Sequence, residues 1–322
     1  MTDDRQLPVR LEPAPSESGL GFILRALRAN GIPFDRGVQW LNFERHRPMD
    51  RANARRVAWS LNVDADQFGE RLVTRDPGGG KGWVRLAGQR LRRQVAPNVL
   101  YAKLCPQCVR ERGVTRLSWL LRAAVGCPFH GYSLIWTCPT CGRGIGWDRP
   151  AVDLCRCGRH FRCATAPPLE SGVRGWLCWL EAALSSSKLQ PTVMPAFDKL
   201  PMVLRHLSVD GAFRIIEAMG MIAAPGQSVR GAMSKCSAPR ELGAVIARGL
   251  ERLSAIEADL ENAPRFGAVT NQVALARLFK DCAAIEDQSL AWWLLNAMRS
   301  DIDPGATRAG TQPKWQLPLF VT

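Results

Sequence analysis

Cys105-Pro106-Gln107-Cys108, Cys127-Pro128-Phe129-His130, Cys138-Pro139-Thr140-Cys141 and Cys155-Arg156-Cys157-Gly158 form four close ligand pairs inside one stretch of the chain. Seven cysteines and one histidine make eight donors, the number that two tetrahedral zinc ions require. A Cys-x-x-Cys turn sets two sulfurs on one side of an ion, and a second pair returned by the intervening chain closes the other side. The pairing expected is Cys105/Cys108 with Cys127/His130, and Cys138/Cys141 with Cys155/Cys157. All four positions at each ion are then protein donors, so both zinc ions are read as structural, with no open position for a substrate or an activated water. Proline after the first cysteine of three pairs suits a tight knuckle, because its fixed φ presets the turn.

Other uses of these thiols fit less well. Met1 to Leu11 is polar, without the apolar core of an export signal, so a cytoplasmic location is expected, where thiols stay reduced rather than paired as disulfides. A redox Cys-x-x-Cys sits at the start of a helix in a βαβ unit, and four clustered pairs argue against it. His160 follows Cys157 at the Cys-x-x-His spacing and is an alternative donor for the second site; Cys155 is preferred because Gly158 frees the backbone of a Cys-x-Cys-Gly knuckle. Cys163 is a reserve ligand. Cys178 and Cys282 lie in apolar helical patterns and read as small buried hydrophobes. Cys236 is isolated.

The 322 residues carry a formal charge of +14. Filling the two sites with zinc on three and on four thiolates adds −1 and −2 and leaves +11. No apolar run approaches the ~20 residues of a membrane span. Ten basic residues lie between Lys81 and Arg122 (Lys81, Arg85, Arg90, Arg92, Arg93, Lys103, Arg110, Arg112, Arg116, Arg122) against the single acid Glu111. A surface of that sign, with arginine prevailing, attracts phosphates and points to nucleic acid or a nucleoprotein. Four histidines, one of them a zinc ligand, and no clustered carboxylates with metal spacing leave no catalytic constellation, so the protein is not expected to be an enzyme.

Around this centre the periodicity is helical. Leu20, Ile23, Leu24 and Leu27 predict a helix capped by Ser16 or Ser18 and ended by Asn30-Gly31, with Arg25 and Arg28 on its exposed face. Ala54, Val57, Ala58 and Leu61, a break at Asn62-Val63, then an Asp64 cap before Ala65, Phe68 and Leu72 give the outline of a helix-turn-helix. Asn62 suits the left-handed turn. Arg51, Arg55 and Arg56 at its entrance join Lys81, Arg85, Arg90, Arg92 and Arg93 as candidate nucleic-acid contacts. Asp76-Pro77-Gly78-Gly79-Gly80-Lys81-Gly82 reads as a flexible loop; it lacks the order of a nucleotide-binding phosphate loop. Arg116 to Arg122 is expected to pack on the first knuckle as a short helix or strand, with Trp119 in the core. Past a joint at 164–172, stripes at Val173–Leu184, Phe213–Met219, Leu242–Leu253, Val273–Phe279 (Val273, Ala276, Leu278, Phe279) and Leu290–Ala297 predict further helices. The fold class is therefore mainly α: an N-terminal helical, helix-turn-helix-like segment (1–100), a tandem zinc-ribbon or zinc-finger module (101–165), a C-terminal helical domain (166–302) and a flexible tail (303–322).

Two stretches carry a resemblance. Leu7-Pro8-Val9-Arg10, Glu17-Ser18 and Leu24-Arg25-Ala26-Leu27-Arg28-Ala29-Asn30-Gly31 resemble the opening of TniQ/TnsD-type transposition proteins. Leu104-Cys105-Pro106-Gln107-Cys108, Arg116-Leu117-Ser118-Trp119 and the three later ligand pairs resemble their cysteine-rich part, so the likeness spans roughly residues 7–163. It implies a non-enzymatic target-site selector that recognises DNA, or a guide-RNA (CRISPR) effector already on DNA, and recruits an AAA+ ATPase regulator and through it the transposase. It places the protein in a bacterial cytoplasm, allows a homodimer, and carries the zinc ligands over to Cys105, Cys108, Cys127, His130, Cys138, Cys141, Cys155 and Cys157. By the same analogy the N-terminal helices dock the ATPase. The chain is longer than minimal members and shorter than the long sequence-specific ones. A stand-alone zinc-containing transcriptional regulator is the competing class.

Overall fold

A computed structural model describes residues 6–44, 47–79, 82–92, 95, 101–185, 200–222 and 239–299. These fall into two compact units, one holding the described residues up to 185 together with 239–243, the other holding 200–222 and 244–299. The fold is mostly helical, as expected. Lys81, Arg93, Cys236 and the expected tail lie outside the described residues.

In the first unit, α1 (Gly19–Ala29) starts where Ser18 Oγ accepts from the Gly21 amide and stops at Asn30, with Gly31 at φ 69°. Its Leu20, Ile23, Leu24 and Leu27 are buried together. Arg28 stays exposed, but Arg25 turns inward onto the buried Glu17 carboxylate at 2.7 Å, against expectation. A short α2 (Phe34–Trp40) follows Pro33; with only Phe34 and Gly37 buried it leaves no stripe to read in the sequence. α3 (Arg51–Leu61) and α4 (Ala65–Glu70) are capped by Asp50 and Asp64, and the turn between them is made by Asn62 at φ 56°, ψ 48°. A left-handed residue without a Cβ penalty is normally glycine; asparagine is the tolerated substitute.

Beyond α4 the chain forms a sheet that no sequence pattern announced. β1 (Thr74–Arg75), β2 (Trp83–Leu86) and β3 (Gln89–Arg92) are antiparallel in that order, with Trp83 opposite Arg92 and Arg85 opposite Arg90. Arginine at alternate positions hides the period-2 pattern. The tight turn uses Ala87 at φ 48° and Gly88 at φ 74°, both left-handed as a two-residue hairpin demands, yet Ala-Gly is a weak signal for one. The glycine-rich stretch read as a loop is the connection from β1 to β2.

The rest of this unit is built on short pieces: α5 (Pro106–Arg112), the two-residue strands β4 (Gly126–Cys127) and β5 (Tyr132–Ser133), isolated bridges such as Leu104 to Ile135, and α6 (Val173–Ala183). The 116–122 segment is a single 3₁₀ turn at Ser118–Leu120, with Trp119 buried. Arg116 fixes it in place. The guanidinium is 2% exposed, makes two parallel bonds to Glu181 of α6 at 3.0 and 3.1 Å, and lies 4.3 Å from the Phe129 ring centre inside the first knuckle. Ser118 Oγ donates to the same carboxylate. Cys178 is buried in α6, as read; Cys282 is only half-buried.

The second unit holds α7 (Val209–Gly220), the larger part of α8 (Pro239–Ala258), α9 (Gln272–Lys280) and α10 (Ile285–Ala297). Arg248 and Arg252 of α8 donate to the Gly220 and Met219 carbonyls at 2.6 and 2.5 Å, satisfying acceptors that the end of α7 leaves open. The stripe expected in α9 is displaced: Leu275 and Leu278 are the buried pair, while Val273, Ala276 and Phe279 are half-buried. Among the described residues no helix is long and apolar enough to cross a membrane.

Candidate metal centres and basic hairpin

Cys105 caps α5, with Pro106 supplying its first helical residue, and Cys108 follows one turn on. Cys127 ends β4, and a tight turn closed by the Gly131 amide on the Cys127 carbonyl (2.9 Å) swings His130 back over it. His130 Nδ1 then lies 3.5, 3.3 and 3.4 Å from the sulfurs of Cys105, Cys108 and Cys127, and the Cys108 and Cys127 sulfurs are 3.5 Å apart. A tetrahedron with zinc–sulfur bonds of ~2.3 Å has edges of about 3.8 Å, so four donors at these separations surround an ion-sized space. Nε2 of the same ring faces both Glu111 oxygens at 3.1 and 3.2 Å. That carboxylate accepts from Nε2–H and leaves Nδ1 with its lone pair toward the sulfurs, the arrangement of a histidine ligand with its outer partner.

The electrostatics point the same way. Hydrogen bonds from the Cys108 and Cys127 thiols hold Cys105 as thiolate, with its pKa lowered to about 2. The thiolate so formed pushes Cys108 up, and Cys127 up to about 12. Three buried sulfurs this close ionise together only around a cation.

The second cluster is assembled from two knuckles. The Gly142 amide donates to the Cys138 carbonyl at 2.9 Å and the Gly158 amide to the Cys155 carbonyl at 3.0 Å. Gly131, Gly142 and Gly158 all have positive φ (69°, 69° and 85°), so each of the three turns ends on the residue type that adopts it without strain. Cys138 and Cys157 sulfurs are 3.7 Å apart, Cys141 and Cys155 sulfurs 3.8 Å. Burial raises the Cys138 pKa, but backbone amides of Cys141 and Thr140 aimed at its sulfur outweigh that and bring it to about 7; burial drives Cys155 up to about 12. His160 is turned away, its Nδ1 on Asp153 at 3.0 Å, and Cys163 is exposed. In each cluster the four donor atoms lie within 4.8 Å of one another. Two Cys/His clusters of this chemistry and geometry suit zinc-like ions.

The basic residues are less uniform than the sequence implied. Lys103 is turned inward, its amine on the Leu121 and Ala124 carbonyls at 2.5 and 2.6 Å, and burial lowers its pKa to about 7. Arg116 is buried against Glu181. Neither contributes to a surface patch. Arg51 and Arg55 are exposed on α3, whereas Arg56 donates to the Leu41 and Asn42 carbonyls. Asp64, Asp66 and Gln67 line the exposed side of α4. Arg85, Arg90 and Arg92 gather on the hairpin with Asp76 and Trp83. Asp76, Glu111 and Glu181 were not singled out in the sequence, because each works through a partner distant in the chain.

Fold and site together define a mostly helical protein carrying two Cys/His knuckle clusters. Residues 8–134 match the TniQ family model. TniQ domains are adaptor-type domains associated with target-site selection in transposition, where the family acts with DNA and ATPase partners. The match includes the whole first cluster and ends at Leu134, ahead of the second. No curated protein matches the chain closely enough to serve as a relative.

Proposed function

We propose that this protein is a non-catalytic adaptor that selects the target site for DNA transposition. It binds target DNA, or an effector already on DNA, and recruits an AAA+ ATPase that brings the transposase. The observation that carries the reading is the TniQ family match over residues 8–134 with the first four-donor cluster closed inside it. Zinc held by Cys105, Cys108, Cys127 and His130, and a second zinc by Cys138, Cys141, Cys155 and Cys157, stiffen the knuckles. Each bound ion contributes its binding energy directly to folding. Both shells are closed by protein donors, so the ions support shape rather than reaction. Arg51, Arg55 and the arginines of the hairpin supply phosphate contacts that position the protein; base reading would need side chains in a groove.

The test is a pull-down of any AAA+ ATPase encoded beside this protein, with and without DNA. Retention of the ATPase on the full-length chain, strengthened by DNA, is expected. No retention under either condition, from protein containing two metal ions, would overturn the adaptor reading and favour a transcriptional regulator.

A further inference from the structure

The hairpin carries an arrangement that charge alone does not explain. The Asp76 side chain is 1% exposed and sits between two arginines. Arg85 of β2 and Arg90 of β3, opposite each other in the register, donate to it through Nε, at 2.8 Å to Oδ1 and 2.7 Å to Oδ2. Among the described residues their Nη groups make no bond. Arg90 is held on a second side by the Trp83 indole, 4.4 Å from its guanidinium carbon, and Arg92 lies over the same ring at 4.6 Å. The loop is shaped to bury the acid. A Cβ on Gly79 would collide with Asp76 Oδ2 and lie 2.6 Å from the Trp83 Cβ.

We propose that this hairpin face is a phosphate clamp for a nucleic-acid backbone, and that Asp76 is its positioning residue. A guanidinium bound through Nε keeps its orientation and still presents both Nη groups. Two of them side by side present the planar forks that match phosphate oxygens. Fixing them in advance removes the side-chain entropy that free surface arginines lose on binding. The acid is sacrificed to geometry: it takes one unit from the charge of the face but sets the direction of two cations. The occupant is a phosphodiester rather than an acidic protein because the forks are clustered, rigid and rimmed by exposed Arg75. The clamp rests on the proposal that the protein meets nucleic acid.

Charge counting and the clamp make opposite predictions for Asp76→Asn. Removing a negative charge from a basic face should tighten DNA binding. If Asp76 positions the forks, the variant binds a labelled mixed-sequence duplex more weakly than the parent at the same salt, because asparagine keeps one acceptor for two arginines. Arg85→Lys/Arg90→Lys in the full-length protein retains the charge and removes the forks, and should also bind more weakly. Arg85→Ala/Arg90→Ala reports on the face itself, with the log–log salt slope shallower by about one for each phosphate no longer neutralised. Weaker binding by Asp76→Asn, or by the lysine pair should Asp76→Asn not fold, supports the clamp. Equal or tighter binding by the folded variants, while the alanine pair binds weakly, overturns it. An alanine pair with unchanged affinity and slope overturns instead the underlying reading that this face meets DNA.

Discussion

Single residues here act through partners that the sequence separates widely. Arg116 belongs to a basic run and reads as surface charge, yet its ion pair with Glu181, 65 positions on, is almost wholly buried. Removing one member of such a pair strands a buried charge, so Arg116→Ala should lose ~3–5 kcal/mol of stability in chemical denaturation. Replacing both members by apolar residues of similar volume, as in Arg116→Met/Glu181→Leu, should cost much less. Glu111 is the lone acid of that run. Its bond to His130 Nε2 fixes the ring tautomer that turns Nδ1 toward the sulfurs. Glu111→Gln should therefore weaken metal retention about 10-fold in competition with a chromophoric chelator, with two ions still bound per chain at saturation. The two Cys/His clusters were legible because spacing is local: two donors on one turn stay together whatever the rest of the fold does.

At the level of elements, what the sequence disclosed depended on whether the forming interactions are local. Helix α1 was readable from its cap and stripe, α3 from its stripe and the Asn62 turn from its residue type, since each signal lies within a few residues of what it stabilises. The β1-β2-β3 hairpin sheet was not, because its pattern is carried by arginines whose placement depends on Asp76 and Trp83. In the second unit, Asp287 near the start of α10 shows the same dependence. It is fully buried, accepts from the Ser208 amide and hydroxyl at 3.0 and 2.6 Å and from the Ala284 amide at 3.1 Å, and faces the buried Asp210, itself bonded to Arg214. Burial raises its pKa despite those donors. A carboxyl whose folded pKa exceeds its unfolded value binds more protons when folded, so its contribution is full below the unfolded pKa and is lost as pH rises through the folded one. Hydrogen exchange of α10 amides should accordingly report a larger opening free energy as pH falls from neutral toward the carboxylate range, after correction for intrinsic rates. Asp287→Asn should flatten that trend.

Taken as a whole, the molecule distributes its stability unevenly. The described part of the second unit has a continuous apolar core, with Phe213, Ile215, Ile216, Leu275, Leu278, Leu290 and Leu294 buried. Residues 101–163 have only one short helix, two-residue strands and single turns around the two clusters. Segments so poor in regular structure need another source of order, which an ion held in each cluster would supply. Stripping metal with a strong chelator should therefore expose 101–163 to limited proteolysis first, while α7 to α10 stay protected; equal loss in both units would contradict this. Acid should have the same effect as the chelator, because protons compete with the ion for thiolate and imidazole. Ligand turns, caps and most helical faces are written in residues a few positions apart, and the order of the chain alone settles them. Which of the many arginines face solvent, and which acids hold the others, is set only on folding, because burial and pairing require distant parts of the chain to meet.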